Sequence, residues 1–246
     1  FRNTDLPIFQ QYVAQTGDLG FDEEEVNSYE LGFKAQSDDG RIQVNGATFI
    51  TDIKNMQREV NTSNPTGAVV QNIINTADGS IFGIEVDGRV AFTDSLLGTF
   101  NVGMMNAEYD KVFFDLNLDM PRVPDLTWGF GVIKDFDLGS NGAVVATANF
   151  QHRDKIAYTD SNFGWVQPAD MVDVNLTWET PVDGLSASIY GKNLLDEVQV
   201  GNDTQLPFSG PFSTGVNLPY QDSPPGGTFS PLKKGRLVGV ELTYSY

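Results

Sequence analysis

The residue types that carry most enzyme and metal chemistry are nearly missing from this chain. Its 246 residues include no cysteine and a single histidine, His152. A nucleophilic serine or cysteine needs a neighbouring base, usually a histidine, and His152 has no Gly-rich serine elbow to serve. A structural zinc site needs several cysteines and histidines. The sequence therefore predicts no catalytic residue, no metal site, no cofactor and no enzymatic activity.

Acidic residues are the next candidates for chemistry, because they outnumber basic residues 33 to 15 and give a formal charge of −18. Carboxylates could bind calcium at Asp38-Asp39 or in "EVDG" (85–88). Neither stretch has the alternating ligand spacing of a calcium loop, so we interpret both as solvated turn or wall residues. The same charge argues against a nucleic-acid partner, because phosphates require a basic surface.

Aromatic side chains in long loops are the best candidates for ligand recognition. The segment 197–234 is far longer than a hairpin requires and carries aromatics among Pro and Gly. These aromatics could stack on a ligand or cover it as a lid, or they could pack together and only order the loop. The candidate ligand-contacting residues are Phe208, Phe212, Tyr220 and Phe229, with Trp165 and Phe163 in a second segment, 157–169.

Strands must position these loops, because apolar side chains recur at every second residue along nearly the whole chain. In "LVGVELTYSY" (237–246), apolar residues alternate with small or polar residues from Val238 to the final Tyr246. Successive side chains of a strand point to opposite faces, so each such segment predicts a strand with one apolar and one polar face. About nine segments follow this pattern: 26–37, 41–57, 70–93, 98–109, 123–136, 142–153, 171–180, 184–193 and 235–246.

The connections between these segments alternate between short and long. Short turns are expected at 37–40, 93–96, 137–142 and 180–184, and long connections near 58–69, 111–122, 157–169 and 197–234. All long loops would then emerge at one end. Together with strands of ten or more residues, this predicts an all-β fold: an antiparallel up-and-down transmembrane β-barrel segment with short periplasmic turns and long extracellular loops. No apolar stretch is long enough for a membrane-spanning helix.

The two faces of this sheet are expected to meet different surroundings. Apolar residues would face lipid and form an aromatic belt on the short-turn side. His152 shares the lipid-facing parity of Phe150 and is expected near the outer headgroups. Apolar-face and belt residues include Phe92, Trp178, Val238, Val240, Leu242, Tyr244 and Tyr246. Residues of polar parity, facing a lumen, include Glu30, Lys34, Glu85, Asp87, Arg89, Asp173, Glu179, Lys192 and Glu241.

Five stretches in series resemble the C-terminal half of a TonB-dependent outer-membrane receptor. They are "FRNTDLPIFQQY", residues 23–57, "NTADGSIFGIEVDGRVAF" (75–92), "YGKNLLDE" (190–197) and "GRLVGVELTYSY" (235–246). The resemblance implies a barrel of about 22 strands filled by a plug. Residues 1–20 would be an extracellular loop and 23–246 about nine barrel strands. The sequence contains no plug or energy-coupling segment, and Gly235-Arg236 stands where relatives often have Pro-Arg.

The resemblance also implies a function in the outer membrane of a Gram-negative bacterium. Such receptors bind a scarce solute, such as a siderophore, vitamin or carbohydrate, and import it with energy supplied through TonB. The implied partners are the plug, the remaining barrel strands, the TonB complex, outer-membrane lipids and the substrate. The polar-face charges would contact the plug or line the lumen. Two alternatives are a soluble extracellular β-sandwich that binds carbohydrate and a passive porin.

Overall fold

A computed structural model describes residues 21–63, 69–112, 118–158, 162, 164–200, 204–206, 227–229 and 231–245. Within these ranges the secondary structure is β-strand, apart from one short 3-10 turn at Gly139–Asn141. None of the described residues belongs to a helix long and apolar enough to cross a membrane.

Among the described residues, nine strands form one antiparallel sheet whose spatial order follows the chain. Two small hairpins lie between strands of this sheet, and each pairs only within itself. The predicted all-β, up-and-down antiparallel fold is therefore confirmed. The main strands are β1 (Glu25–Gln36), β2 (Ile42–Ser63), β3 (Val69–Thr93), β4 (Leu96–Val112), β5 (Leu126–Asp137), β6 (Ala143–Arg153), β9 (Ala169–Glu179), β10 (Leu185–Lys192) and β13 (Leu237–Tyr244); the hairpin strands are β7 (Ile156–Ala157), β8 (Trp165–Val166), β11 (Thr204–Leu206) and β12 (Gly227–Phe229).

The four expected short turns all join neighbouring strands at one end of the sheet. In the β1–β2 turn the Ser37 hydroxyl donates a hydrogen bond of 2.6 Å to the Asp39 carboxylate, and the Arg41 backbone N–H donates one of 3.1 Å. Both bonds favour the ionised form, so the Ser37 hydroxyl first, and then the Arg41 amide, hold the pKa of Asp39 below its ordinary value. Gly40 provides the positive φ of 70° that closes the turn.

The β2–β3 connection differs from the prediction. A long loop was expected near 58–69, but β2 continues to Ser63 and β3 begins at Val69. The pairing passes through irregularities between Ile53 and Gln57, where Asn55 has a φ of 54° and donates its N–H to Asp78. A bulge changes which face the following side chains occupy. The alternation therefore stops in the sequence although the strand does not, and the prediction was wrong here.

The apolar side chains occupy one continuous face of the sheet. Direct cross-strand neighbours on this face include Phe100, Phe130, Phe150 and Val172, one on each of four adjacent strands. Many of these side chains are open to the surroundings; Val240, for example, is 80% exposed. From Phe82 to Phe92 the apolar face of β3 extends about 33 Å along the strand. Tilted as barrel strands are, that length covers about 25 Å, the height of a membrane-facing band.

Candidate ligand-binding site at the long-loop end

The buried residues of the described chain are concentrated at the long-loop end of the sheet. Met56, Ala77 and Met120 form one cluster, each less than a tenth exposed. Around them pack the half-buried residues Ile53, Ile81, Ala107, Tyr109 and Val123. Ile81, Ala107 and Tyr109 share the strand parity of Glu85 and Asp87, so the cluster lies on the polar face. The segment 118–125 after β4 therefore folds back over that face.

Gly79, which has no side chain, leaves space for this folded segment. A Cβ on Gly79 would collide with the terminal methyl group of Met120 and would lie 2.6 Å from the Glu108 carbonyl oxygen. Met120 is 4% exposed, so its side chain fills the space that Gly79 leaves open. Met is suited to such a position because its flexible thioether adapts to irregular gaps.

The segment 118–125 is bound to the connection between β6 and β9. The Arg122 N–H donates to the Ala157 carbonyl at 2.7 Å, and its guanidinium lies 5.3 Å from the centre of the Tyr158 ring. The Asn162 side chain accepts from the Asp119 N–H at 2.7 Å and donates to the Asp119 carbonyl at 2.9 Å. Two connections that are far apart in sequence therefore pack as one unit, which we call the loop shelf (118–125 with 154–158, 162 and 164–168).

A cavity of about 650 Å³ lies between the loop shelf and the end of β4. This volume is typical of pockets for small molecules. Its charged lining residues are four acids and one lysine: Glu108, Asp110, Asp119, Asp125 and Lys155. The Lys155 Nζ lies 4.9 Å from the centre of the Trp165 ring, which is 39% exposed. An aromatic surface beside acceptors in a predominantly negative wall can bind a neutral polar or cationic solute.

Trp165 is the predicted ligand-contacting residue that the structure describes in this cavity. Phe163, Phe208, Phe212 and Tyr220 lie outside the described residues. Phe229 belongs to β12, where it pairs with Thr204 of β11, so the segment 197–234 contains a short hairpin. Ligand contact remains a prediction for all these residues. Most residues that surround Trp165 come from 106–125, at least 40 residues earlier in the chain, and they share no motif with it, so no signal in the sequence indicated this cavity.

The predicted polar-face residues form two groups along the sheet. Lys34, Glu85, Asp87 and Glu30 lie together on β1 and β3, where the Asn45 amide donates to Asp87 at 2.9 Å. The Asn45 Oδ1 is buried and has no partner among the described residues. Asp173, Lys192 and Glu241 lie together on β9, β10 and β13. Arg89 and Glu179 also lie on the polar face, because their direct cross-strand neighbours are Gln43 and Ser186. Contact with a plug or lumen remains a prediction.

The predicted belt residues lie on the apolar face near the short-turn end. Phe92, Trp178 and Tyr244 are exposed there, and the Trp178 indole donates to the Asn141 carbonyl at 2.9 Å. Val238, Val240 and Leu242 lie on the same face of β13, opposite Gly191, Ile189 and Ala187. Tyr246 lies outside the described residues. The contact of these side chains with lipid headgroups remains a prediction.

His152 lies at the opposite end of the apolar face, at the outer end of β6. Its Nδ1 is 2.6 Å from Asp170, its direct cross-strand neighbour, and its Nε2 is 3.1 Å from Asp154. The ring also stacks at 5.8 Å on Trp128, which continues into Phe130 and Phe150. Within the described residues, no group of His, Asp and Glu side chains could hold a metal ion. His152 therefore lies at the end of a row of aromatic rings and binds two carboxylates, Asp154 and Asp170. This combination of apolar and polar contacts is typical of a residue at a membrane interface.

A nine-stranded antiparallel sheet with one exposed apolar face, one polar face and all long loops at one end defines the wall of an outer-membrane β-barrel. The model of the family described as TonB dependent receptor-like, beta-barrel matches residues 1–194. The chain belongs to this family of Gram-negative outer-membrane proteins. The alternative of a β-sandwich is wrong, because the nine main strands of the described part of the chain form a single sheet.

Solved structures with the same fold include two receptors and one transporter. The ferric yersiniabactin uptake receptor FyuA from Yersinia pestis has 19% identity and a TM-score of 0.70 over 91% of this chain and 30% of its own. The siderophore receptor PiuA from Acinetobacter baumannii has 16% identity and a TM-score of 0.65 over 92% of this chain and 29% of its own. The FrpB iron transporter from Neisseria meningitidis has 16% identity and a TM-score of 0.57 over 92% of this chain and 32% of its own. This chain therefore spans about a third of their length. No curated protein matches the sequence.

Proposed function

We propose that this chain is the C-terminal part of the barrel wall of an outer-membrane receptor that imports a scarce solute with energy supplied through TonB. The observation that carries the proposal is the family match over residues 1–194. The names of the similar solved proteins, which are uptake receptors and transporters, agree with it. The task is binding and passage of a solute, so no bond needs to be made or broken.

The described sheet supports a wall that other strands complete. Its outer strands are β1 and β13, each with one unpaired backbone edge in the described sheet. An unpaired backbone group in the hydrocarbon layer costs several kcal/mol, so both edges would continue into further barrel strands. Residues 1–20 would be an outer loop. The polar face would contact the plug, and the partnerless Asn45 Oδ1 is an acceptor that a plug donor would satisfy.

The cavity beside the loop shelf would be part of the solute-binding surface. It opens at the long-loop end, where a solute arrives from outside, and Trp165 offers a partly exposed ring. The excess of carboxylates over Lys155 repels anions and attracts cations. The solute is therefore expected to be neutral or cationic at its contact with this cavity, as a carbohydrate or a cationic chelate would be.

The test measures which solutes cells remove from a defined mixture of siderophores, vitamins and oligosaccharides. Cells with the receptor and cells without it are compared by mass spectrometry of the medium, before and after a protonophore collapses the inner-membrane gradient. Active uptake predicts receptor-dependent depletion that the protonophore abolishes. Depletion that persists would instead establish the alternative of a passive porin, and the proposal would then be wrong.

A pair of tryptophan variants tests whether the cavity takes part in this uptake. Trp165→Ala removes the ring from the cavity wall, whereas Trp178→Ala removes a ring of the same size from the short-turn end of the apolar face. Losing a stacked ring weakens binding by about 1–2 kcal/mol, or about five- to thirty-fold in affinity. Equal uptake by parent and Trp165→Ala cells at limiting solute would exclude the cavity from the binding surface.

A further inference from the structure

The apolar face contains a groove on its later strands. Its volume is about 440 Å³, and it crosses β5, β6, β9, β10 and β13. Small side chains on β6 form its floor while larger side chains flank them. The principal lining residues are Val132, Ala146, Ala148, Val174, Leu176 and Gly191. Because this face meets the hydrocarbon layer, the groove offers a depression in which a chain of methylene groups can pack closely.

A lysine lies at one end of this groove. Lys134 lines it and occupies the apolar face of β5 between Val132 and Phe136. On the described strands, no other charged side chain has apolar-face residues on both sides along its own strand. The Lys134 Nζ reaches 2.5 Å from the Ser95 hydroxyl in the β3–β4 turn and lies 5.5 Å from the Phe136 ring centre. No described carboxylate forms an ion pair with it.

The position of Ser95 fixes the depth of this ammonium group. Ser95 belongs to a short turn, so the Lys134 side chain extends toward the short-turn surface of the membrane. Long basic side chains behave in this way when their Cα lies within the hydrocarbon layer, because the stem stays in the apolar region while the charge reaches the headgroups. We therefore expect the ammonium group at the level of the phosphates of the periplasmic leaflet.

The strand register gives the direction in which the groove runs. Ile42, the first residue of β2, lies at a short turn, and its cross-strand row passes through Val132 and Ala148 to Gly191 and Val238. Gly191 lies one residue before the end of β10, at the long-loop side. The row therefore rises from the short-turn side toward the outer side. From Lys134 on β5 to β13 the groove crosses four strand spacings, or about 19 Å.

We propose that this groove binds one glycerophospholipid of the periplasmic leaflet. The phosphate contacts the Lys134 ammonium at the short-turn rim, and one acyl chain lies in the groove and rises toward the middle of the membrane. The geometry fits because the charge is at the lower end and the groove extends about as far as one hydrocarbon leaflet is thick, about 15 Å. A cation near the membrane surface attracts an anionic headgroup with about 1 kcal/mol.

A phospholipid fits this groove better than the lipid A portion of lipopolysaccharide. The phosphates of lipid A lie at the outer surface, at the level of His152, Asp154 and Asp170, where carboxylates surround the histidine. Lys134 is at the opposite surface. Within a bilayer the hydrophobic effect does not favour one apolar contact over another, because all apolar surfaces are already out of water. A specific lipid must therefore be selected by close packing and by its headgroup. The groove and Lys134 supply these two contributions at one place.

The test is native mass spectrometry of the complete receptor, purified in detergent, delipidated and titrated with phosphatidylglycerol or phosphatidylethanolamine. The parent protein is expected to retain one phospholipid more tightly than all others. Lys134→Met keeps the stem and removes the charge, and should weaken this site about fivefold. Ala148→Leu fills the floor of the groove with the lysine intact, and should also lower its occupancy.

Two matched variants show whether such losses are specific. Lys34→Met removes a lysine from the polar face, and Ala35→Leu makes the same Ala-to-Leu change on the apolar face of β1, away from the groove. Both should retain the lipid as the parent does. The inference would be overturned if Lys134→Met and Lys34→Met bound phospholipid equally, if Ala148→Leu had no effect, or if the retained lipid were lipopolysaccharide. The resistance of unboiled protein to unfolding on a gel establishes that each variant is folded.

Discussion

At the residue scale, the contact between Met120 and Gly79 holds the loop shelf in place. Met120→Ala would leave a cavity in the cluster with Met56 and Ala77, and large-to-small changes in buried clusters cost about 2–5 kcal/mol. The cluster packs against the strand ends and not between strands, so we expect the shelf to loosen without unfolding of the sheet. Acrylamide should then quench Trp165 more strongly, measured as the difference between each protein and its Trp165→Phe variant.

The control for this prediction is Met104→Ala. Met104 lies on the apolar face and is 52% exposed, so its loss removes a methionine without opening the cluster. Quenching of Trp165 should stay at the parent level in this variant. If Met120→Ala left the quenching of Trp165 unchanged as well, the Met120 contact would not be what holds the shelf.

A second residue-scale prediction concerns the pH dependence of the β1–β2 turn. The Ser37 hydroxyl and the Arg41 amide lower the pKa of Asp39, so its ionised form is favoured in the folded turn. The resulting stability is present above the ordinary pKa of an aspartate and is lost as the pH falls through the lower, folded pKa. Asp39→Ala should remove this dependence, which hydrogen exchange at the Arg41 amide measures between pH 5 and pH 2. Asp38→Ala, which leaves both bonds intact, should preserve it.

The sequence allowed only part of the candidate site to be predicted at this scale. Trp165 was identifiable because an aromatic residue in a long connection between strands suggests recognition. Met120, Asn162 and Gly79 were not identifiable, because their roles depend on one loop folding back onto the sheet and touching another. That contact has no periodic signature. Lys134 was not singled out from the sequence, although it has the parity of Val132 and Phe136, because its role depends on the turn that places Ser95 beside it.

At the scale of elements, β9 offers a direct test of which face meets lipid. Val174 lies midway along the apolar face, between Asp170 and Trp178, and Asn175 is the next residue on the polar face. Val174→Arg should destabilise the barrel by about 2–4 kcal/mol, as an arginine near the bilayer midplane does. Asn175→Arg should cost far less. Urea unfolding of the complete receptor in liposomes, followed by gel mobility of unboiled samples, measures both, and equal losses would contradict the assignment of the faces.

The elements themselves were well predicted from the alternation, and the failures have an identifiable cause. Strands with one apolar and one polar face have a period of two, so the bounds of the nine strands were located within about three residues, except for the C-terminal end of β2. The extension of β2 was missed because the bulge near Asn55 interrupts that period. The small hairpins β7–β8 and β11–β12 were missed because strands of two or three residues are too short to show any period.

At the scale of the whole molecule, the formal charge of −18 and the carboxylates around the cavity should act together on small ions. The cavity at the long-loop end has four carboxylates against Lys155, and a recess with low-dielectric walls strengthens the field of its lining charges. If this field is negative, cesium should quench Trp165 more than iodide does at low ionic strength. The two quenchers should converge near 1 M salt, where screening acts over about 3 Å.

Trp178 provides the internal comparison for that measurement, because it lies at the short-turn end, far along the sheet from the cavity. Its emission, isolated as the difference between the parent and Trp178→Phe, should discriminate less between the two ions. An iodide effect on Trp165 as large as that of cesium would mean that Lys155 dominates the field in the cavity. The proposal that the cavity binds a neutral or cationic solute would then lose its electrostatic support. The barrel fold and the lipid groove at Lys134 would be unaffected, because neither depends on the charge of this cavity.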